Sequence, residues 1–218
     1  MYSEVLEEYL ASVKEDLPPL YEKDKVYGSA VMNCNPFTLG HRYLNESAAA
    51  KVDYLIIFVV EEDKSRFPFN DRIELVKKGT TDLSNVYVIP SGKLMISAVT
   101  FPGYFLKDNP SEDNADSSMD VEIFGRYIAS ALGITKRFVG QEPTDFVTRR
   151  YNETMAKILP RFGVEVNIIE RLKSSSDEAK RIISASTVRK LLDSKQYDEL
   201  KNFVPKTTYD YLMNNFVD

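Results

Sequence analysis

Two scarcities narrow the chemistry of this chain at once: its 218 residues hold one cysteine and one histidine. With Cys34 alone there is no internal disulfide, and a reducing compartment is the default. No second histidine stands by to activate Cys34 as a nucleophile, so a small residue at a strand end is the simpler reading of it. No apolar stretch approaches the ~20 residues that a membrane-spanning helix needs. The acidic, amphipathic N-terminus is unlike a secretory signal, so a cytoplasmic setting is expected. Basic excess is missing too. Lys and Arg number 28 against 33 Asp and Glu, for a net charge of −5 and a pI of about 5.2. That balance argues against nucleic acid or an anionic membrane as partner, and any phosphate site has to be built locally. Internal repeats are absent as well. What is there, 43% hydrophobic and 28% charged residues, is ordinary for a globular chain long enough to bury a core.

Hydrophobic patterning sets out an alternating series. Val5, Leu6, Leu10 and Val13 fall at helical spacing within 2–14, with Ser3 as a cap, and Leu17-Pro18-Pro19-Leu20 ends that helix. A charged linker runs to Lys25. Strands are expected over 26–33, at the end of 51–60, and over 85–90, 136–140 and 164–169. Helices are expected over 42–50, from an Asn70 cap through Ile73, Leu75 and Val76, over 121–132 up to Gly133, and over 144–159. The run Y-L-I-I-F-V-V suits a strand covered on both faces, as in a parallel sheet. The expected fold class is α/β: a Rossmann-like, doubly wound parallel sheet of about five strands, with a small C-terminal helical cap over 197–203 and 207–216. Residues 1–25 read as a helix and linker, and 26–218 as one domain. The aromatic stretch 93–107 reads as pocket lining or sheet cover. The acidic stretch 108–120 reads as a mobile surface loop rather than a metal site.

The chemistry centres on V-M-N-C-N-P-F-T-L-G-H-R-Y-L, residues 31–44. It reads as a strand end, a tight turn and a helix start. A helix N-terminus presents unpaired N–H groups and the positive end of the helix dipole, which together favour an anion. Thr38 offers a hydroxyl, Gly40 lets backbone or phosphate approach closely, and His41 stands in the first helical turn. A plain turn with a surface histidine has the same residues, so context decides. Lys64, Arg66 and Arg72 follow the second strand, on the edge where open α/β sheets bind ligands; by themselves they also fit a solvated loop. Far down the chain, I-I-S-A-S-T-V-R places Ser184, Ser186, Thr187 and Arg189 at another helix start. Capping by Ser186 would explain part of it, but a second hydroxyl-rich helix N-terminus with an arginine reads as a second phosphate cradle.

In chain order, N-P-F-T-L-G-H, D-K-S-R-F-P-F-N-D-R, F-V-G-Q-E-P and I-S-A-S-T-V-R resemble the motifs of the HIGH-type nucleotidyltransferase superfamily. More narrowly, M-N-C-N-P-F-T-L-G-H-R-Y-L, A-V-T-F-P-G-Y-F-L-K and R-F-V-G-Q-E-P are similar to the citrate lyase ligase family, in its C-terminal nucleotidyltransferase domain. The resemblance implies ATP as substrate, with Mg²⁺ carried on ATP rather than held in a protein site. It implies adenylation of acetate with release of pyrophosphate. The acetyl group then passes to the prosthetic-group thiol on the acyl carrier subunit of citrate lyase. By motif, Thr38 and His41 would polarise the α-phosphate, and Lys64 would neutralise charge at the reacting phosphate. Ser184, Ser186, Thr187 and Arg189 would hold the β- and γ-phosphates. Asn33, Asn35, Phe37, Gly40, Arg72, Gly140, Glu142 and Asn152 would lie along the nucleotide.

Family members usually carry an acyltransferase-like domain ahead of this part, whereas about 25 residues precede the first strand here. That departure bears on the acceptor, which varies across the superfamily while the phosphate grip is shared. Two other readings therefore stand beside the ligase. D-F-V-T-R-R-Y-N-E-T-M resembles the acceptor-side helix of pantetheine-phosphate adenylyltransferase, with Arg149 and Arg150 to meet a phosphorylated acceptor. The other is a non-catalytic nucleotide-binding module.

Overall fold

Five runs rich in branched and aromatic residues form five parallel strands: β1 (Tyr27–Met32), β2 (Tyr54–Val59), β3 (Val86–Pro90), β4 (Ile134–Gly140) and β5 (Glu165–Ile169). The computed structural model describes residues 2–61, 65–96, 117–143, 145–173 and 182–217. The strand order is β3-β2-β1-β4-β5, a doubly wound sheet. Side chains alternate across it as the pleat requires. Leu55, Ile57 and Val59 enter one core cluster, and Ile56, Phe58 and Val60 the other. This explains why β2 reads as one unbroken apolar run.

Helices α2 (Leu39–Ala49) and α3 (Phe69–Gly79) cover the first face, through Ala48, Ala49, Ile73, Leu75 and Val76. The other face packs on three helical stretches. These are α1 (Tyr2–Ser12), a run made of α4 (Ser118–Ile123), a π-helical turn (Phe124–Ala129) and α5 (Ser130–Leu132), and α6 (Phe146–Ile158). Tyr9 of α1 is buried in that core, and its hydroxyl donates to the Pro90 carbonyl at 2.6 Å. A third cluster joins α7 (Ala185–Asp193), a 3-10 turn (Tyr197–Asn202) and α8 (Lys206–Phe216) around Leu191, Leu200, Phe203 and Leu212, which is the expected helical cap. Among the described residues, no helix is long and apolar enough to cross a membrane.

Several boundaries differ from the sequence expectation, each for a local reason. Ser3 lies inside α1 rather than capping it. The N-cap of α3 is Pro68, not Asn70, because the Arg72 N–H donates to the Pro68 carbonyl and the buried Arg72 side chain pins this first turn. The helix expected at 121–132 starts at Ser118 and carries the π turn. The 117–120 end of the expected surface loop is ordered. Asp120 is buried, and its carboxylate accepts from the Ile96 N–H and the Tyr151 hydroxyl, both at 2.6 Å. Residues 97–107 of the aromatic stretch and 108–116 of the acidic loop lie outside the described residues.

Candidate active site

The strand order reverses between β1 and β4, so the crevice for a ligand opens above their carboxyl ends. The β1–α2 turn forms one wall. Thr38, in extended conformation, is the N-cap of α2; its Oγ1 accepts the His41 N–H at 3.3 Å. The Thr38 N–H in turn donates to His41 Nδ1 at 3.1 Å. With Nδ1 accepting, the neutral ring carries its proton on Nε2. Burial first, and the charge of Arg171 second, push the His41 pKa down to about 4. The ring is therefore a neutral donor near pH 7. Phe37 stacks on it at 5.9 Å between centroids.

The N-terminus of α7 forms the facing wall. Ser184 is its N-cap, accepting the Thr187 N–H at 3.2 Å, so the cap is Ser184 rather than Ser186. Ser184 Oγ lies 2.9 Å from both Ser186 Oγ and Thr187 Oγ1, which groups three hydroxyls at one helix start. Two contacts tie the walls together. Arg189 Nη1 donates to the Asn35 carbonyl at 2.6 Å. A Cβ on Gly40 would stand 2.8 Å from the Ile183 carbonyl oxygen. Backbone thus makes a close approach at Gly40. Two positive helix ends flank one space.

That space is a cleft of about 900 Å³. It takes in Asn33, Asn35, Thr38, Gly40 and His41 from the first wall, Gly140, Glu142 and Asn152 from the β4–α6 side, and Ser184, Ser186, Thr187 and Arg189 from α7. Asn152 Nδ2 donates to the Gly140 carbonyl at 3.0 Å. One Glu142 oxygen accepts the Asp145 N–H at 3.0 Å, and the other pairs with Arg171. Arg171 Nε donates to the Gln141 carbonyl at 2.7 Å, so this arginine shapes the β4–α6 turn.

Two residues expected at the nucleotide lie behind the cleft instead. Phe37 is fully buried against Gly79. Arg72 is also fully buried: Nε donates to the Phe67 carbonyl at 3.1 Å, and Nη1 to the Asn33 carbonyl at 2.5 Å and to Asn33 Oδ1 at 2.7 Å. It positions Asn33 and does not line the cleft. Arg66 pairs at the surface with Asp193 at 2.6 Å. Lys64 lies outside the described residues. Cys34 is fully buried and burial pushes its thiol pKa up, as befits a structural residue. Arg149 and Arg150 are exposed on α6, and neither lines the cleft. Among the described residues, no group of three or more His, Cys, Asp or Glu side chains is placed to hold a metal ion.

Two cleft arginines were not singled out from the sequence. Arg171 follows the carboxyl end of β5, the edge rule that flagged Lys64, and was legible on that ground. Arg137 also lines the cleft but sits inside β4, where a charged residue reads as solvent-facing.

Solved structures place this architecture in a class. A Vibrio parahaemolyticus protein assigned as a nicotinate-nucleotide adenylyltransferase aligns over 87% of this chain and 93% of its own, with 15% identity and a TM-score of 0.53. Pantothenate synthetase from Thermus thermophilus aligns over 82% of this chain and 65% of its own, with 15% identity and a TM-score of 0.52. At such identities the likeness is one of fold, a Rossmann-like nucleotidyltransferase fold. The sequence specifies more. The profile of the citrate lyase ligase C-terminal domain matches residues 27–212, and the chain belongs to that family. Citrate (pro-3S)-lyase ligase of Haemophilus influenzae is 44% identical over 200 residues, which is 88% of this chain and 59% of that protein. The Escherichia coli ligase is 44% identical over 192 residues, 86% of this chain and 53% of that protein. The chain thus spans little more than half the length of these curated relatives.

Proposed function

We propose that this chain adenylates acetate with ATP, giving acetyl-AMP and pyrophosphate, and passes the acetyl group to the prosthetic-group thiol of the citrate lyase acyl carrier subunit. The observation that carries the reading is the pair of capped helix N-termini, at Thr38 and Ser184, flanking one cleft. Family membership supports the choice of reaction. An acetate oxygen attacks the α-phosphorus in line, and the bond to the bridging oxygen of the β-phosphate breaks. The thiol sulfur then attacks the acetyl carbonyl carbon, AMP leaves and the thiol proton is released. Charge builds on the phosphate oxygens, so fixed donors do most of the catalysis.

In this scheme His41 donates from Nε2 to an α-phosphate oxygen, held there by Thr38. Ser184, Ser186, Thr187 and Arg189 take the β- and γ-phosphates, and Lys64 neutralises charge at the reacting phosphate. Mg²⁺ enters with ATP as part of the substrate. Asn33, Asn35, Gly140, Glu142 and Asn152 line the nucleotide, with Arg72 and Phe37 positioning the first wall from behind. Residues 26–218 form the adenylyltransferase-like unit, and 1–25 a helix and linker, with Tyr9 and Val13 buried in its core. The proposed setting is cytoplasmic.

A phosphorylated acceptor is less well served, because Arg149 and Arg150 stay outside the cleft. The test is pyrophosphate release with ATP and Mg²⁺, offering acetate, other small carboxylates or phosphopantetheine, with wild type and His41→Ala compared. Release that depends on acetate and falls about a hundredfold or more in the variant is expected. Release with phosphopantetheine and none with acetate overturns the reading.

A further inference from the structure

We propose that Arg137 anchors the carboxylate of the acid substrate, and that the apolar side chains beside it restrict that acid to a short chain. The inference rests on the adenylation reading, which requires a carboxylate next to the nucleotide but does not say what holds it. Arg137 lies on the β4 face that packs against α6 and the π turn, opposite Ser29 of β1. It is 2% exposed, yet it lines the cleft. Among the described residues, Nε and Nη1 have no hydrogen-bond partner. A buried guanidinium normally has its donors satisfied, because each bare one costs free energy.

The neighbourhood holds the charge in place without saturating it. The guanidinium sits 4.5 Å from the centroid of Phe124, in the π turn. Burial pushes its pKa down, and the nearby Tyr151 and Asp120 work against that shift. Asp120 is already engaged by the Ile96 N–H and the Tyr151 hydroxyl. Open donors of a fixed cation at the floor of a cleft suit a small anion. Two anions enter this reaction, phosphate and carboxylate. The helix N-termini proposed to serve phosphate are the starts of α2 and α7, whereas Arg137 shares its sheet face with Val31, Ile96, Val139 and Met155, which also line the cleft. A carboxylate with a short alkyl group matches that mixture; a phosphate does not.

The experiment compares wild type with Arg137→Lys, which keeps the charge and loses the planar donor set, and with Arg137→Met. Melting temperature screens each variant for folding, and Arg137→Lys serves if Arg137→Met does not fold. Acetate-dependent pyrophosphate release is expected to show a KM for acetate raised about tenfold to a hundredfold, with the KM for ATP within about twofold of wild type. An unchanged KM for acetate overturns the proposal, as does an equal rise in the KM for ATP, which would assign Arg137 to the nucleotide. The second readout needs no turnover: broadening of ¹³C-acetate resonances in the presence of α,β-methylene-ATP. Broadening in wild type that is lost in Arg137→Lys, and weaker broadening of longer carboxylates, support the anchor. No broadening in wild type, or equal broadening in the variant, overturns it. If pyrophosphate release fails in wild type, the adenylation reading falls, and this binding readout still decides the anchor.

Discussion

Replacing Gly40 by Ala places a Cβ 2.8 Å from the Ile183 carbonyl oxygen. Ordinary contact begins at 3.4 Å, so the two chains must part by roughly 0.6 Å (3.4 − 2.8). The obstacle is backbone, with no flexible side chain to swing aside. Overpacking of this kind costs about 1–3 kcal/mol. For a chain of this size, each kcal/mol lowers Tm by about 2–4 °C, so a drop of about 2–12 °C is expected. Function should suffer beyond stability, because the contact joins the α2 turn to the residue that precedes the Ser184 cap. Parting them moves one proposed phosphate cradle away from the other. We expect ATP affinity to fall about tenfold or more in the folded variant, since small misplacements in such sites are costly. Differential scanning fluorimetry and calorimetric titration with ATP measure both terms. A variant with wild-type Tm and wild-type ATP affinity would refute the claim that the two helix starts are locked together at this point.

Three further outcomes follow from the same geometry. Arg72→Met leaves the Phe67 carbonyl and both Asn33 oxygens without their buried donor, and should destabilise the chain by about 3 kcal/mol or more in urea unfolding; a loss below about 1 kcal/mol would contradict the assigned role. His41, with a folded pKa of about 4 against an ordinary value near 6.5, binds its proton more readily unfolded, so stability falls as pH drops through 6.5 and the loss saturates near 4. Between pH 7 and 5, wild type should lose about 1–2 kcal/mol more than His41→Gln, and parallel curves would contradict a neutral, half-buried imidazole. Cys34 should resist an aromatic disulfide reagent at pH 8 until the chain unfolds; rapid native-state labelling would show that its burial has been misjudged.

Much of the scaffold is legible in the sequence, because a parallel sheet needs long apolar strands and Tyr54–Val59 supplies one without interruption. The two hydroxyl-capped helix starts are legible too, since hydroxyl residues at helix starts follow from capping chemistry. What escaped depends on contacts remote in sequence. The Ser184 cap cannot be chosen over Ser186 without knowing where Ile183 meets Gly40. Arg72 reads as one of three basic neighbours, and only the fold turns it inward to Asn33. Arg137 follows Lys136 in β4 and resembles a solvated pair; packing of Phe124 from the π turn makes it interior. Asp120 reads as part of a polar loop until Tyr151 and Ile96 come to meet it.

The central claim is that the two helix starts grip different parts of one triphosphate. It is tested most directly by measuring ATP and AMP affinity for wild type, His41→Ala and Arg189→Met. His41→Ala should weaken both nucleotides, because both carry the α-phosphate. Arg189→Met should weaken ATP about tenfold or more and leave AMP within about twofold of wild type, because only ATP reaches the α7 cradle. Equal losses for ATP and AMP in Arg189→Met, or none for ATP in either variant, would contradict the account.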